Sequence, residues 1–220
     1  MNLVIIDYGS GNLRSVENAF KNTIKTNKLN FTIQVTNKLD TILNADHLVL
    51  PGVGSFPDCK KGLEAISGLI KLLTNEVINK RKKFLGICVG MQLMVEFSLE
   101  KKKTKGFCWL DGCFKKIKVK GLDYLGRDYK IPHMGWNTLK IECNHPILGN
   151  ISENEHFYFV HSYVLESYQT DQILAKTSYS QKIPAIIGKD NYIGVQFHPE
   201  KSGNAGQKFI YNWLKWKPYY

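Results

Sequence analysis

A cysteine between two glycines is the first residue in the sequence that could act as a nucleophile. Cys88 is the middle residue of the pentapeptide 86–90, Gly-Ile-Cys-Val-Gly, which ends an apolar run and leads into the amphipathic stretch 91–96. The glycines permit the strained strand-to-helix turn that lifts a side chain above a sheet. A helix beginning there would favour the thiolate, and the N–H of Val89 would be an oxyanion donor. The pentapeptide alone also fits a buried structural cysteine.

A histidine and a glutamate near the carboxyl terminus could activate such a nucleophile. His198 and Glu200 are separated only by Pro199. Proline disfavours the helical region for the residue before it, and in an extended chain side chains two apart point to the same side. The carboxylate of Glu200 can therefore orient the imidazole of His198, as in a triad with a nucleophile. Read alone, the segment also fits a surface turn.

Two glycine-rich turns follow predicted strands. The turn at 51–54, Pro-Gly-Val-Gly, lies at the carboxyl end of a strand, where open α/β sheets bind ligands. Its glycines would let the Val53 peptide move an N–H into or out of an oxyanion site, although the tetrapeptide also fits an ordinary turn. The turn at 9–11, Gly-Ser-Gly, has Arg14 where a dinucleotide-binding loop needs its third glycine, so we expect a tight turn there.

Composition and charge exclude several classes of protein. The 220 residues are 43% hydrophobic, and no apolar run approaches the ~18 residues of a membrane span. The net charge is +11, and eight lysines lie between residues 101 and 120 without an arginine-rich helix or zinc-finger spacing, so we expect a solvated lysine face. The five cysteines contain no C-x-x-C pair, and the amino terminus lacks the basic flank of a signal peptide, so we expect a cytosolic protein.

Strands and helices alternate in the first half of the chain. Short apolar runs predict strands, and helical periodicity predicts the segments between them. The predicted strands are 3–6, 31–35, 47–50 and 82–87, and the predicted helices are 16–23, 39–43 and 63–78. This alternation predicts a parallel sheet with helical crossovers.

After about residue 105 the pattern changes to strands without long helices between them. We expect these strands to extend the sheet in antiparallel fashion. They are 114–119, 138–141, 156–165, 173–177, 185–188 and 192–197. A last helix is predicted over 203–216, with Phe209 and Trp213 at core spacing. No linker divides residues 1–220, so we expect one α/β domain with a mainly parallel central sheet, flanking helices and antiparallel strands in its C-terminal half.

Six blocks of the sequence, in this order, resemble the class I glutamine amidotransferases. The resemblance spans nearly the whole chain. In detail, the residues of these blocks are similar to those of the glutaminase subunits that serve a synthase of histidine biosynthesis. The blocks are 7–15 (DYGSGNLRS), 50–56 (LPGVGSF), 86–92 (GICVGMQ), 132–137 (PHMGWN), 158–163 (YFVHSY) and 198–202 (HPEKS). The resemblance implies the fold of that family.

For catalysis, the resemblance implies a thiol mechanism of glutamine hydrolysis. Cys88 would be the nucleophile, His198 the general base and acid, and Glu200 the group that orients it. The products would be glutamate and ammonia, formed through a γ-glutamyl thioester. The backbone N–H groups of Val53 and Val89 would hold the oxyanion. Val89 replaces a more usual leucine, which matters little because the role belongs to the backbone.

The resemblance also implies a substrate and a partner. The residues that would bind L-glutamine are Gly52 through its backbone, Gln92, Glu100, Ser162 and Tyr163. Those that would face the partner are Asn12, Met134, Trp136 and Lys201. The partner would be a (β/α)8 synthase subunit that forms a heterodimer with the chain and consumes the ammonia. Neither a metal nor an organic cofactor is implied, and neither nucleic acid nor a membrane is expected as a partner.

Two other functions remain possible at the level of sequence. A paralogous glutaminase could keep the same triad and supply ammonia to a sugar-modifying amidotransferase of surface-polysaccharide synthesis. A non-catalytic interaction or nucleic-acid-binding module would account for the charge of +11, which the family does not explain. The intact Cys88, His198 and Glu200 argue against that module.

Overall fold

The computed structural model describes residues 1–123 and 125–218 as an α/β fold. Its strands are β1 (Asn2–Ile6), β2 (Thr32–Thr36), β3 (His47–Gly52), β4 (Lys83–Cys88), β5 (Val95–Ser98), β6 (Thr104–Lys105), β7 (Leu110–Lys116), β8 (His133–Thr138), β9 (Lys140–Ile141), β10 (His156–His161), β11 (Tyr163–Glu166), β12 (Ile173–Tyr179), β13 (Gln181–Lys189) and β14 (Tyr192–Val195). Its helices are α1 (Leu13–Thr26), α2 (Leu39–Leu43), α3 (Phe56–Glu64), α4 (Leu69–Thr74), α5 (Val89–Gln92) and α6 (Gly203–Lys215), with a π-helical turn at Asn75–Asn79 and 3₁₀ turns at Pro146–Leu148 and Pro199–Lys201. Within these residues no helix is long and apolar enough to span a bilayer.

Eight strands form the central sheet, in the order β2-β1-β3-β4-β14-β13-β12-β9. The first five are parallel neighbours, and β13, β12 and β9 continue the sheet in antiparallel fashion. Consecutive residues of β1, β3 and β4 are buried. Because alternate side chains of a strand point to opposite faces, both faces of the sheet are covered. The predicted parallel core and its antiparallel extension are confirmed.

The remaining strands form two smaller sheets, β11-β7-β5-β6 and β10-β8. The prediction that every C-terminal strand extends the central sheet was therefore wrong. Residues 156–165, predicted as one strand, divide at Ser162: β10 pairs with β8, whereas β11 pairs with β7. The carbonyl of Ser162 accepts the N–H of Ile117 at 2.9 Å, outside both ladders. The chain thus changes strand partners within one apolar run, which alternation cannot reveal.

The segment predicted as one helix over 63–78 is interrupted. Helix α3 begins earlier, because Ser55 caps it by accepting the backbone N–H of Asp58. Before α4 the chain passes through Gly68 with a φ of 82°, a left-handed conformation that no right-handed helix contains. The helical pattern continues across this break because both pieces bury their apolar faces in the same core.

Helix α6 closes the core through Trp213. This side chain is fully buried. Its ring meets Phe20 of α1 edge to face at 5.9 Å, and it meets His47 of β3 at 5.5 Å. The predicted C-terminal helix is confirmed, and its apolar face joins α1 to the parallel strands.

Replacing Trp213 measures how much the packing of α6 contributes to the free energy of unfolding. We expect Trp213→Ala to lower the free energy of unfolding by about 3–5 kcal/mol, because it leaves a large cavity in the core. The control Trp136→Ala removes a ring that is 57% exposed, and we expect a change within about 0.5 kcal/mol. Urea unfolding of both variants provides the test, and equal losses would contradict the assignment of Trp213 to the core.

Candidate active site

Three neighbouring parallel strands deliver the candidate catalytic residues to one edge of the central sheet. The registers place Gly52 of β3 opposite Cys88 of β4, and Val195 of β14 opposite Ile87 of β4. Because the strands run in the same direction, the residues that follow them emerge side by side. His198 comes three residues after the end of β14 and reaches the same edge as Cys88.

Cys88 stands on a strained turn between β4 and α5. Its φ is 55° and its ψ is −110°, a conformation that is costly for a residue with a side chain. A Cβ at Gly86 would lie 2.6 Å from the carbonyl oxygen of Gly90, and a Cβ at Gly90 would lie 1.9 Å from the carbonyl oxygen of Leu50. Glycine is therefore required at both positions, and the surrounding sheet holds the cysteine in its turn.

The helix after Cys88 is shorter than the amphipathic stretch 91–96 predicts. Helix α5 ends at Gln92, and β5 begins at Val95. The backbone of residues 93–96 turns away to pair with the segment 106–110, so tertiary hydrogen bonds override the helical pattern. Cys88 therefore immediately precedes a short helix, whose first residue is Val89.

His198 and Glu200 form a buried hydrogen-bonded pair. The Nδ1 atom of His198 lies 2.7 Å from Oε1 of Glu200, and the two side chains are 3% and 2% exposed. His198 is extended, as predicted, and the two side chains meet. The predicted extended chain does not continue, however, because Pro199 and Glu200 belong to a 3₁₀ turn. This turn brings the carboxylate back under the imidazole.

The surroundings of His198 favour its charged form. Burial lowers the pKa of His198, but its interactions with Cys88 and with Glu200 outweigh burial and raise that pKa above the usual range of histidine. Because Nδ1 faces the carboxylate, Nε2 is the ring nitrogen that can exchange a proton with a bound molecule. Nε2 is buried and makes no hydrogen bond to any described residue.

A cavity of about 390 Å³ joins these groups to most of the predicted site residues. The predicted residues that line it are Val53, Cys88, Val89, Gln92, Glu100, Ser162, Tyr163, His198 and Lys201. Glu200 lies behind His198, and Gly52 lies beneath the cavity, where a Cβ would come within 2.8 Å of the Tyr8 hydroxyl. Three predicted partner-facing residues, Asn12, Met134 and Trp136, are not part of its lining. Its size suits a small polar metabolite.

Two residues at the rim of the cavity are held by hydrogen bonds. The carbonyl oxygen of Val53 accepts the Ser10 hydroxyl at 2.7 Å and the Cys59 thiol at 3.3 Å, while its N–H faces the Ser10 oxygen at 3.4 Å. The N–H of Val53, which belongs to the Gly52–Val53 peptide, is therefore engaged by Ser10, and the carbonyl of the next peptide is held by Ser10 and Cys59. The carboxylate of Glu100 accepts the backbone N–H of Phe56 at 2.7 Å, which ties it to the start of α3.

Comparison with known proteins identifies the family to which this arrangement belongs. The profile of the Glutamine amidotransferase class-I family matches residues 4–216. The chain belongs to this family. The resemblance carried by the six sequence blocks is confirmed.

Relatives and solved structures agree with this assignment of the amidotransferase. Imidazole glycerol phosphate synthase subunit HisH of Brucella melitensis biotype 1 is 43% identical over 99% of this chain and 100% of its own length. The HisH subunit of Rhodopseudomonas palustris is 44% identical over the same shares. A solved glutamine amidotransferase of Thermotoga maritima has a TM-score of 0.58 at 15% identity, covers 96% of this chain and 80% of its own, and shows the shared fold.

An exposed patch lies beside the cavity of the amidotransferase. Met134 and Trp136 alternate on β8, and their side chains are 64% and 57% exposed. The ring of Trp136 meets Tyr158 of β10 at 5.8 Å, and Nζ of Lys201 lies 5.7 Å from the same tyrosine ring. Trp136 and Lys201 thus meet at Tyr158, and Met134 lies two residues from Trp136 on the same face of β8. Asn12, also exposed, lies at the start of α1, a helix that packs against the turn containing Lys201.

Sequence reasoning missed several residues of this amidotransferase that touch the site. The side chain of Gln196 donates to the Cys88 sulfur at 3.7 Å and accepts from Gln92 at 3.1 Å. Its position two residues before His198 on an extended run was the available signal. Ser10 and Cys59 were also missed, because nothing in their own segments predicts contact with Val53.

The ionisation of the histidine in this amidotransferase provides a direct test. Because Cys88 and Glu200 both raise the pKa of His198, we expect Cys88→Ala and Glu200→Gln each to lower that pKa. NMR titration of the imidazole measures it. Cys113→Ala is the control, since it removes another buried cysteine that lies in β7. An unchanged pKa in both active-site variants would show that the contacts do not govern the charge.

Proposed function

We propose that this amidotransferase is the glutaminase subunit of an imidazole glycerol phosphate synthase. It hydrolyses L-glutamine to glutamate and ammonia in the 390 Å³ cavity. The observation that carries this proposal is the meeting, in that cavity, of Cys88 on its strained turn with the His198 that Glu200 orients. Similarity to HisH subunits over 99% of the chain supports the identity of the synthase.

The proposed reaction begins with the sulfur. The Cys88 thiolate attacks the side-chain amide carbon of glutamine and forms a C–S bond, while the carbonyl electrons move to oxygen. The protonated Nε2 of His198 gives its proton to the leaving nitrogen, so ammonia departs and a γ-glutamyl thioester remains. His198 then takes a proton from water as the water oxygen attacks the thioester carbon. The C–S bond breaks, so glutamate leaves and the Cys88 thiolate is restored. Glu200 holds the imidazole throughout and stabilises its charged form.

Two backbone N–H groups are proposed to hold the oxyanion. Val89 offers its N–H from the first turn of α5, next to the sulfur. The Val53 N–H faces Ser10, so its peptide has to rotate before it can donate. An oxyanion donor contributes about 3 kcal/mol to the barrier, so that rotation would switch the enzyme between slow and fast hydrolysis.

The substrate is proposed to lie in the cavity that Cys88 lines. Gln92, Ser162 and Tyr163 of the lining supply polar groups, and Glu100 supplies a carboxylate for the substrate ammonium. Gly52, outside the lining, is proposed to contribute its backbone. One oxygen of Glu100 already accepts the N–H of Phe56, so ammonium binding would use the other.

The ammonia is proposed to pass to a (β/α)8 synthase partner in a heterodimer. That partner would use it to make imidazole glycerol phosphate and an aminoimidazole carboxamide ribotide in histidine biosynthesis. Met134, Trp136 and Lys201 form the docking patch, and Asn12 contributes from the start of α1. Large exposed apolar side chains beside the cavity support this assignment, because such side chains mark interfaces.

The other functions weighed from sequence are less well supported. Full-length similarity to HisH subunits does not favour a paralogue that serves surface-polysaccharide synthesis. The assembled cysteine, histidine and glutamate do not favour a non-catalytic module. We also propose that residues 1–220 form one domain and that the protein is cytosolic, since its five cysteines are free.

Loss of the sulfur should abolish hydrolysis. We expect Cys88→Ala to reduce glutamate formation by at least about 10⁴-fold, because no other group replaces the nucleophile. The control Cys113→Ala should keep the activity. An electrophilic glutamine analogue should add its mass to Cys88, as measured by mass spectrometry of the wild-type chain. Labelling at another cysteine would contradict the assigned nucleophile.

Docking should depend on the exposed tryptophan. We expect Trp136→Ala to weaken co-purification with the synthase by at least about tenfold, because a central aromatic side chain often contributes 2 kcal/mol or more to an interface. Tyr168→Ala is the matched control, since that ring is 98% exposed elsewhere on the surface. Rescue of a histidine auxotroph lacking the subunit tests the pathway. Strong glutaminase turnover without the partner and its ribotide ligand would contradict the coupling.

A further inference from the structure

A second cavity lies at the opposite edge of the central sheet. Its volume is about 620 Å³, and its lining includes Met1 before β1, His47 at the start of β3 and Lys83 at the start of β4. The parallel strands begin here, whereas the glutamine cavity lies where they end. The two cavities share no lining residue.

The second cavity is strongly basic. Seven lysine or arginine residues line it, against one carboxylate among the described residues, that of Asp46. This carboxylate already accepts the backbone N–H of Asn2 at 2.6 Å. Low-dielectric walls lined by one sign of charge focus a field that concentrates anions.

Part of this charge is neutralised or held within the protein. Lys80 and Lys82 both pair with the buried carboxylate of Glu76. Lys83 is buried and donates to the carbonyl oxygens of Leu214 and Trp216 at 3.2 and 2.6 Å. These contacts build the wall of the cavity.

Three further lysines of the lining have no counter-ion among the described residues. Lys28 follows α1, Lys215 ends α6 and Lys217 follows it, and all three are exposed. Within residues 1–123 and 125–218 none of the three has an ion pair. They converge on the mouth of one cavity from two separate segments, so their charge is directed at one place.

The other side of the cavity is aromatic and apolar. Phe31 and His47 meet edge to face at 5.1 Å, and Trp216 also lines the wall. Burial and the nearby Lys83 lower the pKa of His47 to about 3, so its imidazole is neutral at physiological pH. Flat rings beside unbalanced cations are the combination that holds a heterocyclic base with attached phosphates.

We propose that this second cavity binds a nucleotide, with its phosphates at Lys28 and Lys215 and its base against Phe31 and Trp216. The volume lies within the range of small-molecule sites. The ligand differs in chemistry from glutamine, and the site is separate from Cys88. Glutamine hydrolysis does not account for the net charge of +11, and a nucleotide site would account for part of it.

Calorimetric titration of the full chain with ATP as the probe tests this proposal. We expect saturable one-to-one binding to the wild-type protein. The double variant Lys28→Gln, Lys215→Gln and the single variant Phe31→Leu should each bind at least about tenfold more weakly, through lost charge-assisted contacts and lost stacking respectively. The control Lys102→Gln, Lys105→Gln removes equal charge from another exposed segment and should bind as the wild type does.

Inorganic triphosphate separates a nucleotide site from simple anion attraction. It should bind at least about tenfold more weakly than ATP, because it has no ring to stack. Equal affinity for both, equal loss in the control variant, or binding of single-stranded RNA without ATP would each overturn the proposal. The Lys28→Gln, Lys215→Gln variant should keep its glutaminase activity with the partner, which verifies its fold, and the ATP titration stands whether or not glutamine is the substrate.

Discussion

The close approach of the turn after Cys88 to strand β3 is the constraint on which the site depends. The backbone of Gly90 passes so near the carbonyl of Leu50 that no side chain fits between them. This contact lets Cys88 hold an unfavourable conformation, because the covered parallel strands on either side cannot relax away from it. The same rigid sheet then fixes where the segments after β3 and β14 must emerge. The reactive geometry is therefore a property of the sheet more than of any loop.

Burial and charge act against each other in the partnership of His198 and Glu200. Removing an imidazole from water disfavours its charged form, yet the interactions with Cys88 and with the Glu200 carboxylate at 2.7 Å together more than compensate and raise the pKa of His198. The 3₁₀ turn after Pro199 supplies this carboxylate from the adjacent backbone, so orientation costs little additional entropy. A protonated imidazole in this cavity is the state that the proposed proton transfer to the leaving nitrogen requires.

Local signals predicted the parts of this structure that local sequence determines. Buried runs such as those of β3 and β4 are recognisable because covered parallel strands are apolar throughout. The glycines on either side of Cys88 predict the tight turn, because a turn of that kind leaves no room for side chains at those positions. The interruption at Gly68 follows from a left-handed backbone. The early end of α5 and the change of partners at Ser162 depend on hydrogen bonds to distant segments. Likewise, the meeting of Cys88 with His198 depends on β4 and β14 being neighbours, which only the family resemblance suggested beforehand.

Under the proposed mechanism, the contact between the Val53 N–H and the Ser10 oxygen has a metabolic consequence. A neutral hydrogen bond contributes about 1 kcal/mol, so turning the Gly52–Val53 peptide, which carries this N–H, would cost about 1 kcal/mol and leave roughly one molecule in six competent at any moment. An idle subunit would then waste little of a nitrogen donor that many pathways share. Docking a partner releases several times that free energy, so a modest fraction of it is enough to end the restraint.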